Sequence, residues 1–424
     1  DVNTTGSSNI GFGASSLGSN TIGSNNVGIG TSALASNVSG DKNIAIGFQA
    51  LTLSTGDNNL AIGYSALSSV TSATGNLAIG FEALTLATGA NNLAIGSGTL
   101  SVLTIGTGNL AIGTDALALN TASNNLAIGK GALASNVSGT RNLAIGFESL
   151  NLNTASDNLA IGTSALASNI SGTKNIAIGY LALTLATGDN NTAIGNTALS
   201  SNVSGTGNIA IGVDSLKLAT SSNNTAIGAL SLASVTSGTG NVGIGYNALN
   251  LNTASNNTAI GSTSLDSNTS GTRNTGIGFA TLTAITTEDD CTAIGYNALV
   301  LNTGHQNTAI GSYAGDGNVT GIDNTFIGYR SGNQGNSTTF IGSEAGIVNT
   351  GHDNVGIGAG SLRFNVAGNN NVSVGMNSLY SNVAGNQIVA IGRFAMGQAS
   401  NISNTIAIGY QALSSMTSGT AGGN

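Results

Sequence analysis

The chain has no proline, no tryptophan, a single cysteine and very little charge. Charged residues fill 6 % of its 424 positions and aromatics 4 %, where an ordinary soluble domain is about 25 % charged. Each shortage removes a class. Without proline, the 64 glycines cannot belong to a collagen, which needs Pro and a strict three-residue period. Low charge and no proline also exclude the usual disordered chain. One cysteine rules out a disulfide framework and leaves the redox compartment open. No run of about 18 apolar residues occurs, so the sequence offers no candidate membrane-spanning helix. No basic stretch followed by an apolar one opens the chain, as a targeting segment would. The 9 Lys and Arg are scattered and the net charge is −8, which argues against nucleic acid as a partner.

What is abundant is repetition. Residues 124–129 read NNLAIG, 141–146 read RNLAIG and 157–162 read DNLAIG. The glycine that closes this element recurs 25 times, from Gly13 to Gly409, at spacings of 16 or 17 residues. One spacing is 14, between Gly328 and Gly342. From Gly47 to Gly278 the spacings 16 and 17 alternate, the mark of a duplicated two-unit module of 33 residues. Length alone would suggest two or three globular domains, but a repeat of this kind overrides that prior.

Within a unit the order is Asn, an apolar residue or Thr, Ala or Gly, Ile, Gly, two variable residues, Ala, Leu, then a polar loop. The segment is too short for a helix, and its Gly and Asn would break one. It predicts two short strands per unit, around x-Ala-Ile and around Ala-Leu, joined by turns. One unit cannot bury its apolar residues, whereas stacked units bury a continuous core. The expected fold class is all-β, a parallel β-roll or β-solenoid of about 25 coils with 16–17 residues per coil. Like residues then ladder about 4.8 Å apart, and such a stack makes a rod of roughly 120 Å.

Asn125, Ile128, Gly129, Asn142, Ile145, Gly146, Asn158, Ile161 and Gly162 represent the structural ladder. A ladder of Asn bonds both neighbours through its amide. The Gly position calls for positive φ or a close backbone approach. The lack of proline suits strands whose every N–H is needed. Charged residues such as Asp41, Lys42, Arg141, Asp157 and Asp289 fall five or six positions before the repeat Gly, on an edge expected to face water.

Four regions are expected: irregular first coils at 1–30, a regular β-roll at 31–311, variant coils at 312–350 and terminal coils at 351–424. In the variant coils Ala-Gly or Ser-Gly replaces Ala-Leu, and Phe326 and Phe340 replace Ala. A change of register or shape is expected there, at a candidate place for binding specificity. Residues 410–424 stop partway through a coil, and no polar cap opens the chain, although solenoids need caps. The sequence is therefore expected to be a segment of a longer protein or a processed product.

The strings NLAIG, NIAIG and NTAIG, followed by xxAL or xxAG, resemble the head repeats of trimeric autotransporter adhesins of the Yersinia adhesin type. They are also similar to repeats in phage tail fibres and in mosaic trimeric adhesins of predatory bacteria. The likeness covers about residues 9–413. Those heads use the repeat length found here only between Gly328 and Gly342, so most units carry extra residues in the polar loop. The resemblance implies a left-handed parallel β-roll, a parallel homotrimer and adhesion. It also implies a C-terminal self-cleaving chaperone, whose loss would leave such an end. The strand composition points to partners independently. Leu and Ile face one side and Ala the other, and a strand apolar on both faces is buried on both. One face fills the roll, and a threefold axis can supply cover for the other.

Ten of the 17 aromatics directly follow the repeat Gly: Phe48, Tyr64, Phe81, Phe147, Tyr180, Tyr246, Phe279, Tyr296, Tyr329 and Tyr410. Stacked coils align them as a contact stripe for glycan or protein, or as packing between chains. His305 and His352 share one slot three coils apart, which suits a loop role, since a metal site needs three or four converging ligands. Cys291 takes the Asn slot as a packing thiol, with no His or Asp placed to make it a nucleophile. Glu288, Asp289 and Asp290 form the densest acidic cluster, short of the oxygens Ca²⁺ requires. The segments SNVSG and SNISG match glycosylation sequons, and turn chemistry explains them equally well. No catalytic, metal or cofactor-binding residue is assigned.

The expected function is structural and adhesive: the extracellular shaft or head of a receptor-binding adhesin or tail fibre, on a virion or a bacterial surface. Its expected partners are itself, as a homotrimer, and a cell-surface glycan or protein. A glycan-cleaving tailspike needs two carboxylates facing one groove about 5–10 Å apart, and no such pair stands out, so an enzyme is not expected. An ice- or crystal-binding solenoid would use the partial ladder of Thr192, Thr225, Thr258, Thr275, Thr292, Thr308 and Thr325. Leu or Ile in the same slot elsewhere argues that the slot is buried.

Overall fold

The computed structural model describes residues 5–416. The chain divides into two compact units, Asp1–Val213 and Asp214–Asn424. Each is a parallel β-solenoid, with no helix among the described residues. The first unit holds thirteen strands, from β1 (Ile10–Phe12) to β13 (Ile209–Ile211), and the second holds twelve, from β14 (Thr225–Ile227) to β25 (Ile406–Ile408). Each strand is one x-Ala-Ile element or its variant. Within a unit, successive strands pair in parallel and without offset: Leu143, Ala144 and Ile145 lie against Leu159, Ala160 and Ile161. Every coil thus repeats its residues above those of the last, at the spacing of about 4.8 Å that sheet pairing sets.

The expected second strand is not there. The residues after the repeat Gly form a turn in which alternate positions take left-handed φ, as Glu82 (+52°) and Leu84 (+53°) do. An extended strand cannot hold that alternation. Hydrogen bonding nevertheless continues between coils. The Glu82 N–H donates to Tyr64 O of the preceding coil and the Leu84 N–H to Thr99 O of the following one, both at 2.9 Å. A left-handed Leu costs about 1–2 kcal/mol. Full burial of the side chain contributes about 1.5–3 kcal/mol, and Leu84 is fully buried. Burial therefore outweighs the strain.

The core is narrow. The strand-centre alanines point inward beside the turn leucines, and Ala144, Ala160, Leu150 and Leu166 have no exposed surface. The variant coils keep this volume by exchanging it. Where Phe326 and Phe340 replace Ala, the Leu positions are Gly315, Gly332 and Gly346. Both rings are fully buried and stack with centroids 6.1 Å apart. A Cβ on Gly332 would overlap the Phe326 ring, and one on Gly346 would lie 2.6 Å from the Phe340 ring. The bulk has moved from one slot to the facing one, and the expected change of register does not occur. Ala309 pairs with Phe326, Phe326 with Phe340, and Phe340 with Gly356. What changes is the loop, shortened where the repeat spacing falls to 14.

Candidate functional surfaces

The ladder residues form the internal frame. Asn142, Asn158 and Asn175 each donate their backbone N–H to the Oδ1 of the corresponding Asn one coil earlier, at 3.0 Å. Their side-chain amides donate onward to a loop carbonyl of the next coil: Asn142 to Ala155 O at 2.8 Å and Asn158 to Gly172 O at 2.9 Å. All three are buried, and burial without such partners would cost about 1–3 kcal/mol per group. The repeat Gly is confined twice over. Gly146 has φ +137°, and a Cβ there would lie 2.5 Å from Gly162 O.

A second buried Asn ladder escaped the sequence reading. It runs through the residue seven after the repeat Gly: Asn136 donates to Asn120 Oδ1 at 2.7 Å, and Asn169 to Asn153 Oδ1 at 2.7 Å. The two ladders touch, Asn158 Nδ2 lying 3.3 Å from Asn153 Oδ1. Asn37, Asn136, Asn169 and Asn202 are the asparagines of the SNVSG and SNISG segments. Each is fully buried and donates its amide to a loop glycine carbonyl. In the folded chain these amides are structural bonds, closed to a glycan.

Outside the frame, three features face solvent. The first is the outer face of the sheet. The strand centre points in, and the flanking residues point out: Ile44 and Ile46 stay 39 % and 37 % exposed around a fully buried Ala45. The threonine slot lies on this same outer face, half-buried at Thr258, Thr275 and Thr292. Within one chain the slot is therefore half-buried. Leu, Ile and Thr are interchangeable there because the roll itself covers none of them fully.

The second feature is the aromatic stripe. All ten of its members, Phe48 to Tyr410, are exposed. The structure brings some together and leaves others apart. Phe48, Tyr64 and Phe81 stack face to face at 5.2 and 5.1 Å. Phe279 stacks on Tyr296 at 5.4 Å, and the row continues edge-on through Tyr313 to Tyr329. Among the described residues, Phe147, Tyr180, Tyr246 and Tyr410 have no aromatic neighbour in the stripe.

The third is the loop edge, where many charged residues accept backbone hydrogen bonds. The position six before the repeat Gly takes an N–H from the coil below: Asp57 Oδ1 from Asp41 at 2.8 Å, Ser123 Oγ from Thr107 at 3.0 Å. His305 and His352 do the same through Nδ1, from Asp289 and Asn336, both at 3.0 Å. They are acceptors in a backbone ladder. The acidic cluster diverges in the same way. Glu288 folds back on the Thr286 and Thr287 N–H groups, Asp289 accepts from Thr272, and Asp290 pairs with Arg273 at 2.6 Å. No group of three His, Cys, Asp or Glu among the described residues is placed to hold a metal ion. Cys291 is buried with its sulfur 3.2 Å from Gly304 O, and burial pushes its pKa up to about 11. It stays a thiol at neutral pH, which is an inert state.

No helix of the described residues is long and apolar enough to cross a membrane. Compared with known proteins, the chain matches no family model, no curated protein and no solved structure.

Proposed function

We propose that this chain is the shaft or head of an extracellular attachment fibre, a left-handed β-roll that assembles as a parallel homotrimer and binds a cell-surface glycan or protein. A phage tail or a bacterial surface is the proposed setting. The observation that carries the reading is the outer sheet face. Parallel sheets occur with both faces covered. Here each unit covers one face with its own coil and leaves a two-column band of Leu, Ile, Val or Thr only half-covered. Similar residues at every level suit a neighbour with the same repeat, which a second and third copy provide. The resemblance of the NxAIG strings to trimeric adhesin heads supports the same arrangement. Exposed aromatics, which are enriched at binding surfaces, suit the attachment role, and weak single contacts would multiply across three chains.

Light scattering on the undenatured protein tests the assembly. The expected mass is three chains of 41.3 kDa. A monomeric mass would sink the trimer.

One observation favours a second reading, binding to ice or another crystal surface. Thr258, Thr275, Thr292, Thr308, Thr325 and Thr339 stand on consecutive strands. Beside them runs a column of Ile, half-exposed like the threonines. This regular array uses the face that a trimer would cover, so the two readings exclude each other. A thermal-hysteresis assay on the purified chain should read zero under the fibre reading. A measurable hysteresis from a monomer would replace it.

A further inference from the structure

The variant coils carry a recess with a charged and aromatic lining. This open recess of about 300 Å³ lies between two successive coils and is lined by Tyr313, Asp316, Tyr329 and Arg330. That is the lower end of small-molecule sites, about 300–1,000 Å³. The two tyrosine rings stand edge-on, centroids 6.4 Å apart and 89° between planes. The recess brings two opposite charges to one opening. Arg273 pairs with Asp290, and Arg363 with Glu344. Asp316 and Arg330, like most charged residues of the chain, enter no ion pair among the described residues. Asp316 is half-buried, and burial raises its pKa above the ordinary carboxylate value. Its slot, five after the repeat Gly, holds Ala, Ser or Thr in about half of the other coils, and a second Asp, Asp266, stands there three coils earlier. The shortened loop between Gly328 and Gly342 lies beside it.

The lining narrows the ligand. A cation is opposed by Arg330 and an anion by Asp316. A purely apolar molecule would leave both charges desolvated, which costs free energy. A nucleotide would bring phosphate to a chain of net charge −8. A neutral ring with one C–H face and several hydroxyls satisfies all four residues. One of the two perpendicular tyrosine rings packs against the apolar face while the other borders its edge, the carboxylate accepts from hydroxyls, and the guanidinium donates to them. We infer that Tyr313, Asp316, Tyr329 and Arg330 form a saccharide subsite that takes one neutral hexose ring. The subsite deepens the attachment reading by naming the chemical class of the receptor, and it rests on that reading only for its purpose.

The test is saturation-transfer NMR on the purified chain with the methyl glycosides of glucose, galactose and mannose. Saturation of the ring C–H protons is expected for at least one glycoside. Tyr313→Ala and Arg330→Gln should each weaken that binding about tenfold or more, a discrimination well within reach of a single contact. Phe81→Ala, in the other aromatic row, should leave it unchanged. Arg330→Gln alters an exposed side chain and keeps the test decisive even where Tyr313→Ala disturbs the fold. No transfer from any glycoside, or equal transfer in Arg330→Gln, overturns the subsite. Because the probes are free sugars, the outcome separates from the attachment reading. A chain that binds cells but no glycoside loses only the subsite, and a monomer that binds a glycoside loses only the trimer.

Discussion

Gly146→Ala is expected to split the first unit into two separately melting blocks. Gly146 sits at φ +137°, and a methyl group there would lie 2.5 Å from Gly162 O and 2.7 Å from Gly162 C. The backbone of the next coil would have to move, and Gly162 stands in the same relation to Gly179. A non-glycine residue in such a region costs about 1–3 kcal/mol from the backbone alone. The collision adds to this, so about 3 kcal/mol or more is expected for one methyl group. In a solenoid, stability is a sum of unit and interface terms, and the loss falls on a single interface. Calorimetry should show one transition become two, with the earlier one at lower temperature. A single unshifted transition would mean that the ladder does not transmit the contact.

The second large effect is a coupled pair in the variant coils. Phe326→Ala alone leaves a cavity where no Leu is present to fill it, because the facing residue is Gly332. A truncation of this kind costs about 3–5 kcal/mol. Gly332→Leu alone drives a side chain into the Phe326 ring, and overpacking costs about 1–3 kcal/mol. Together the two substitutions rewrite the coil as an ordinary Ala-and-Leu coil. The double variant should therefore be more stable than either single one, with a large favourable coupling in a double-mutant cycle. Gly332 has φ +73°, in the left-handed range that the repeat's leucines already accept, so Leu meets no new backbone demand. Additive losses would show that the ring and the glycine are independent.

Much of this architecture is written in residue identity. Asn, Ile and Gly return at fixed spacing because a stacked coil gives each the same neighbours at every level, so the repeat leads to the ladder directly. The segment after the Gly was misread because Ala-Leu has the composition of a strand. Leucine gives no local hint of left-handed φ, and the burial that stabilises it there is a property of the whole coil. The second Asn ladder was hidden by dilution: the same slot holds Val70, Ala87 and Leu103, which are also buried, so no single residue type marks it. The threonine slot was judged by the company of Leu and Ile, yet apolar residues on an outer face signal a missing partner as readily as a core. For the recess, Asp316 and Arg330 lie fourteen positions apart in sequence, and only the stacking of the short coil makes them neighbours. The Asp itself gave no signal, since Asp266 fills the same slot three coils earlier.

The volume exchange at Phe326 and Phe340 also bears on how the chain finds its place. Over Gly47 to Gly278 the pattern returns every 33 residues. A segment displaced by one module would meet Asn, Ala, Ile and Gly wherever it met them before. Such a stretch is nearly blind to its own position. The two rings and their facing glycines cannot be shifted onto an Ala-and-Leu neighbour without collision or void. They act as a notch on a ruler, and a folding chain that seats them has fixed its register there.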